Sequence, residues 1–117
     1  MPRFLAIYVG TATARDKAQW DKQPPEVQKQ QEEEGMRAWG EWVARNQVAI
    51  VDMGTPLGKT KRVSRDGVAD TTNTSVAYVI VEAATHDEAA RLFENHPHFS
   101  VFAGDSVEVM ECLSLPA

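Results

Sequence analysis

The sequence is short of positive charge. Its 117 residues hold 12 lysines and arginines against 17 aspartates and glutamates, which gives a formal net charge of −5 with histidine neutral. Proteins that bind nucleic acid depend on a basic surface that neutralises phosphates. The acidic balance therefore argues against a nucleic-acid partner.

Long hydrophobic runs, phosphate loops and cysteine pairs are also missing from the sequence. No run approaches the roughly 20 apolar residues of a membrane span, and no glycine-rich loop is present to hold a nucleotide. The one cysteine, Cys112, excludes an intrachain disulfide and favours a reducing compartment. We therefore expect a cytoplasmic protein without cofactor or membrane association. Because Cys112 has no positive neighbour in sequence, it is predicted to be an inert buried thiol.

The length and the apolar pattern predict a single domain over residues 1–117, since a chain of this size buries a core without staples. Four strands are predicted at residues 3–9, 48–53, 74–83 and 106–112, and two helices at residues 25–45 and 86–95. Pro25 suits the first position of the first helix. Thr85 and Glu88 form the capping box that starts the second helix.

The connections between these elements carry signals of their own. Residues 59–65 alternate weakly before the Asp66–Gly67 step, which predicts a short, charged, exposed hairpin. Residues 10–23 are polar and longer than an ordinary connection, so they form either a lid-like loop or a segment with a short helical turn. Pro97 is expected to end the second helix and to leave residues 98–104 as a connection.

The order of the elements predicts an α+β fold of the ferredoxin-like βαββαβ type. Two β-α-β halves build a four-stranded antiparallel sheet with both helices on one face. The strands at residues 5–9 and 76–81 are apolar on both faces, so the face without helices needs a cover. A second copy of the chain is the simplest cover, and it predicts a homodimer built as a dimeric α+β barrel. The alternative is a monomer in which residues 10–23 and 68–73 fold over that face.

Seven short segments resemble one known family when they are taken together in order. They are residues 4–8 (Phe-Leu-Ala-Ile-Tyr), 39–42 (Trp-Gly-Glu-Trp), 51–58 (Val-Asp-Met-Gly-Thr-Pro-Leu-Gly), 78–83 (Tyr-Val-Ile-Val-Glu-Ala), 87–90 (Asp-Glu-Ala-Ala), 96–98 (His-Pro-His) and 107–109 (Val-Glu-Val). Across about residues 3–111, the chain resembles the YCII-related, or DGPF-domain, family in its Trp-rich branch. The resemblance implies a dimeric α+β barrel whose pocket lies between the first helix, the sheet and the segment after the second helix.

The resemblance also implies an activity that this chain does not fully match. Some members of the family act on small-ring or halogenated aromatic compounds through a histidine on the first helix with an acidic partner. The predicted first helix here has no histidine, and residues 70–73 (Asp-Thr-Thr-Asn) stand near the place of the Asp-Gly-Pro-Phe signature. We therefore do not carry the histidine–acid dyad over to this chain.

Two pairs of residues are candidates for a ligand site. Trp39 and Trp42 lie three apart on one helical face, so they either form an aromatic wall for a planar ligand or pack in the core. His96 and His98 flank Pro97, and the pair either contacts a ligand or makes local hydrogen bonds at the helix end. A metal site would need a third ligand such as Asp52 or Asp105, and we predict no metal.

Asp52 and Tyr78 complete the candidate site. A carboxylate inside the apolar strand at residues 48–53 is either a buried acid–base group or an exposed group at the strand end. Tyr78 lies in a predicted central strand, where its hydroxyl faces a pocket or meets a backbone partner.

Three functions are compatible with these residues. The first is a domain that binds a small planar, weakly acidic or aromatic metabolite, with a pocket lined by Trp39, Trp42, Tyr78, Asp52, His96 and His98. The second is a cofactor-independent isomerase or lyase in which His96 is the acid–base group, oriented by Asp52 or His98. The third is a dimeric interaction module without catalysis.

Overall fold

The computed structural model describes residues 1–11, 22–102 and 104–115 of the chain. Its strands are β1 (Arg3–Val9), β2 (Ile50–Asp52), β3 (Thr60–Ser64), β4 (Gly67–Thr71), β5 (Ser75–Glu82) and β6 (Ser106–Glu111), and its helices are α1 (Pro25–Arg45), α2 (His86–Arg91) and α3 (Pro97–Ser100). Most of the connection predicted at residues 10–23 lies outside the described residues, so the choice between a loop and a helical turn stays a prediction.

The main sheet has the strand order of a ferredoxin-like fold. Its four strands follow the order β2-β5-β1-β6, and each neighbouring pair is antiparallel. The charged hairpin forms a separate two-stranded sheet of β3 and β4, in which Lys61 and Asp70 make an exposed ion pair. The predictions of an α+β ferredoxin-like fold and of an exposed hairpin are confirmed.

One face of the main sheet is packed against α1 and α2. Alternate residues of the two central strands are buried on this face. The helices add Trp42 and Ala89 to the same core, and the turn after α2 adds Phe93. The buried strand residues are Phe4, Ala6, Tyr8, Ala77, Val79 and Val81. Successive residues of a strand point to opposite faces, so the alternating burial in β1 and β5 places the core on one face of the sheet.

The opposite face of the sheet, which we call the open face, is apolar at its centre and carries Glu108 beside it. Ile7 pairs with Tyr78 on one side and with Glu108 on the other. Val76 is 38% exposed and Met110 is 45% exposed on this face. Both described helices of more than four residues pack on the other face of the sheet, so the open face is where a cover is expected.

The second predicted helix is interrupted. α2 ends at Arg91, Asn95 takes a positive φ of 58°, and α3 begins at Pro97. Proline is favoured at the first position of a helix and disfavours helical backbone in the residue before it. The prediction of one helix to residue 95, followed by a connection at residues 98–104, is therefore wrong in this region. Pro97 starts a short helix here, with His96 as its N-cap.

Two smaller predictions also need correction. β2 is three residues long and begins at Ile50, while Val48 is fully exposed in the turn before it. Cys112 is exposed rather than buried, because β6 ends at Glu111 and leaves the thiol beyond the sheet. Within the described ranges, the structure contains no helix that is long and apolar enough to cross a membrane.

Candidate functional site

Rings from three parts of the chain meet on the helix face of the sheet. We call this group the aromatic cluster, and its members are Tyr8, Trp39, Trp42, Phe93, His96 and His98. The centre of the His96 ring lies 4.4 Å from that of Trp39, 4.6 Å from that of Trp42 and 5.0 Å from that of Tyr8. The structure thus brings together the two tryptophans and the two histidines of the predicted site.

His96 is held by hydrogen bonds at both of its ring nitrogens. The His98 backbone N–H donates to His96 Nδ1 at 3.0 Å, which is the N-cap bond of α3. Because Nδ1 accepts this hydrogen bond, Nδ1 carries no proton, and the neutral ring must carry its proton on Nε2. His96 Nε2–H therefore donates to the Tyr8 hydroxyl oxygen, 3.0 Å away. This bond joins the segment after α2 to strand β1.

Both groups in this bond are kept uncharged by burial. Tyr8 and His96 are completely buried, and removal from water disfavours the charged form of each. Burial, with a smaller contribution from His98, lowers the pKa of His96 from 6.5 to about 3. Burial raises the pKa of Tyr8 above its ordinary value. At neutral pH the pair is a neutral imidazole and a neutral phenol.

His98 is fixed by a backbone group of β1 and by a close glycine. Its Nε2–H donates to the carbonyl oxygen of Val9 at 2.8 Å, since a carbonyl only accepts. A Cβ placed on Gly104 would come within 2.1 Å of the His98 ring. Glycine is therefore required at position 104 for this ring to keep its place.

The two tryptophans differ in their surroundings. Trp42 is 3% exposed, and its Nε1–H donates to the carbonyl oxygen of Leu92 at 2.9 Å. Trp39 is half-buried and contacts Phe102, with the ring centres 6.0 Å apart. Trp42 thus behaves as a core residue that ties α1 to the end of α2. Trp39 forms the border between the aromatic cluster and solvent.

Asp52 and Tyr78 do not belong to the aromatic cluster. Tyr78 follows Ala77, the cross-strand partner of Tyr8, so its side chain points to the open face. Its hydroxyl donates to Asp52 Oδ2 at 3.4 Å, and Asp52 Oδ1 accepts from the backbone N–H of Gly54 at 2.8 Å. The expectation of one pocket that holds all six predicted residues is therefore corrected, because the sheet separates these two from the histidines.

Asp52 has a structural explanation in the turn after β2. Gly54 takes a φ of +68°, and a Cβ there would lie 1.6 Å from the carbonyl oxygen of Tyr78. The Asp52 carboxylate stabilises this tight turn by accepting the Gly54 N–H. Its side chain is exposed at the edge of the sheet, which agrees with the alternative of an exposed group at the strand end.

Tyr8 is the site residue that sequence reasoning missed. The alternation of β1 assigned it to a buried face, which is correct. Its partner His96 is 88 residues away in sequence, so no local pattern could pair the two. The available signal was the hydroxyl itself, since a buried tyrosine oxygen needs a polar partner.

The described residues also form an open cleft between α1 and β2. Its volume is about 410 Å³, and it is lined by Gly40, Val43, Ala44, Gln47, Ile50, Val51 and Met53. The cleft includes no member of the aromatic cluster. In the part of the chain that the structure describes, no three His, Cys, Asp or Glu side chains are grouped to hold a metal ion.

Comparison with known proteins finds a likeness of structure but none of sequence. No family model matches the sequence, and no curated protein matches it significantly. The fold is similar to that of 5-chloro-2-hydroxyhydroquinone dehydrochlorinase (TftG) from Burkholderia phenoliruptrix AC1100, solved in complex with 2,5-dihydroxybenzoquinone. The TM-score is 0.51 at 14% sequence identity, and the match covers 93% of this chain and 90% of that chain. At this identity the likeness supports the fold of the chain.

Proposed function

We propose that the protein binds a small planar ring compound at the aromatic cluster, as a domain of the YCII-related type. The observation that carries the proposal is the hydrogen-bonded pair of Tyr8 and His96, enclosed by Trp39 and Trp42. A few polar groups held in apolar, aromatic surroundings are typical of small-molecule sites. Trp39, the half-buried member, is where a ligand would enter.

Two further observations support the same proposal. The seven segments that resemble the YCII-related family include both Trp39–Trp42 and His96–His98, which the structure brings together on one face of the sheet. A solved structure with a similar fold is that of 5-chloro-2-hydroxyhydroquinone dehydrochlorinase in complex with 2,5-dihydroxybenzoquinone, and both of these compounds are small oxygenated rings. A ring compound is therefore the ligand class to test first.

The contacts of His96 favour binding over proton transfer. Both of its ring nitrogens form hydrogen bonds. Protonation of Nδ1 would bring a second N–H donor to face the backbone N–H of His98. A general acid or base works best with a pKa near the working pH, whereas burial holds the pKa of His96 at about 3. The catalytic roles of His96 and Asp52 stay predictions, and a ligand contact is the role that we propose for His96.

A thermal-shift screen with planar ring compounds tests the proposed site. A ligand at 100 times its Kd stabilises the folded state by about 2.7 kcal/mol, which is a measurable rise in Tm. We expect one or more compounds to raise the Tm of the wild type and to have a much smaller effect on Trp39→Leu. Met36→Ala is the matched control, since Met36 is 68% exposed on the same helix. Equal shifts in wild type and Trp39→Leu would place the ligand elsewhere.

We also propose that a second copy of the chain covers the open face. The support is the apolar centre of that face, where Ile7 and Tyr78 are neighbours and Val76 is exposed. Burial of an apolar face of this kind commonly drives twofold association. Sedimentation should show a dimer for wild type and for Val63→Lys on the exposed hairpin, and a weaker dimer for Val76→Lys. A wild-type monomer at all concentrations would rule out this cover.

A further inference from the structure

The hydrogen bonds around Tyr8 leave its hydroxyl proton without an acceptor among the described residues. His98 donates its backbone N–H to His96 Nδ1, so His96 must donate its Nε2 proton to the Tyr8 oxygen. The Tyr8 hydroxyl proton is then directed away from His96. Among the described residues no other hydrogen bond to Tyr8 is present. The hydroxyl thus accepts from His96 and, among the described residues, has no acceptor for its own proton.

An unmatched buried donor is an unfavourable arrangement in a native protein. Leaving such a group without an acceptor costs free energy comparable to a lost hydrogen bond, and nearly all buried polar groups are paired. Tyr8 is completely buried, and its ring lies 4.6 Å from that of Trp39. The donor therefore stands beside the half-buried residue where the proposed ligand enters.

The groups around this donor do not suit an anion. The rings of Trp39, Phe93, His96 and His98 contact Tyr8. Burial is the cause that raises the pKa of Tyr8, and no charged side chain of the described residues contributes to it. A carboxylate buried among them would lack a fixed positive partner, which is costly in apolar surroundings. A neutral carbonyl oxygen accepts the same hydrogen bond without that penalty.

We infer that Tyr8 is the residue that selects the ligand: its hydroxyl donates to a carbonyl oxygen on an uncharged planar ring. This inference rests on the proposed function, because it assigns a chemical class to the compound that the aromatic cluster binds. It makes Tyr8 a specificity residue and His96 the positioning residue that orients the Tyr8 hydroxyl.

Three probes of similar size separate the possible outcomes. Acetophenone has a neutral carbonyl, benzoate has a charged carboxylate, and ethylbenzene has no acceptor. Ligand-observed NMR titration gives Kd for each with wild type and with Tyr8→Phe. One hydrogen bond corresponds to about a 5-fold change in Kd or more. In wild type we expect acetophenone to bind at least that much more tightly than ethylbenzene, and benzoate to bind most weakly.

The variant provides the second half of the test. Tyr8→Phe should lose the preference for acetophenone and keep the wild-type Kd for ethylbenzene, which also shows that the site is intact. If wild type binds all three probes equally, or prefers benzoate, the inference is wrong while the proposed binding site survives. If a folded wild type binds none of them, both proposals fail. The wild-type comparison stands alone if Tyr8→Phe does not fold.

Discussion

The buried His96 makes the stability of the protein depend on pH in a defined direction. Its pKa is lowered from 6.5 to about 3 in the folded state, so the folded protein binds a proton less readily than the unfolded chain. The stabilisation is fully present above pH 6.5 and is lost as the pH falls from 6.5 toward 3. Protonation of His96 would add an N–H at Nδ1. This N–H would face the backbone N–H of His98, and the hydrogen bond between the two residues would be lost.

The size of this effect follows from linkage. Each unit between the two pKa values corresponds to about 1.4 kcal/mol, so the contribution of His96 falls by about 3 kcal/mol between pH 7.5 and pH 4. Urea unfolding at a series of pH values measures the free energy of unfolding. Comparison with His96→Gln isolates the effect, because contributions from carboxylates are common to both proteins and cancel in the difference.

Two controls make the pH experiment decisive. His86→Gln removes an exposed histidine and leaves His96 in place, so the loss of stability that we assign to His96 should persist in this variant. NMR titration of the wild-type imidazoles checks the cause directly, and the His96 ring should stay neutral at pH 5. The reasoning is refuted if His96 titrates near 6.5 in the folded protein, or if wild type and His96→Gln lose stability in parallel.

Three further predictions concern positions around the aromatic cluster. Gly35→Ala would place a Cβ 2.2 Å from the Phe102 ring, whereas the Cβ of Gly40→Ala meets nothing within 4 Å. Chemical unfolding should show Gly35→Ala to be less stable than Gly40→Ala by about 1–3 kcal/mol. Equal stabilities of the two variants would contradict the packing of Gly35 against Phe102. Trp42→Phe removes the donor to the Leu92 carbonyl and should cost about 1–3 kcal/mol in the same assay. Thr85→Ala removes the side-chain acceptor of the Glu88 N–H and should cost about 1 kcal/mol, with Thr85→Ser close to wild type as its control.

Local signals in the sequence predicted most of the fold. The strand at residues 3–9, the helix N-cap at Thr85 and the Asp66–Gly67 turn all appear in the structure where they were expected. Each signal depends on neighbours within a few residues, so a single sequence contains it completely. The helix break before Pro97 was not predicted, because the proline that predicts the end of one helix also starts the next.

The candidate site could be predicted only in part. The spacing of Trp39 and Trp42 and the His96–Pro97–His98 step correctly indicated residues that lie together. Asp52 could not be placed, since its strand is apolar on both faces and its pairing with β5 shifts register between Ile50 and Asp52. A change of register by one residue reverses the face that a side chain occupies. Parity along the strand therefore did not determine its face.

The most direct test of the central claim is to map where a ring compound binds on the wild-type protein. Two-dimensional NMR during titration with the tightest compound from the thermal-shift screen would follow the His96 Nε2–H and the Trp39 indole N–H, which lie in the aromatic cluster. We predict saturable changes at these two groups and little change at Tyr78 on the open face. Saturable changes confined to Tyr78, or to the cleft between α1 and β2, would contradict the account.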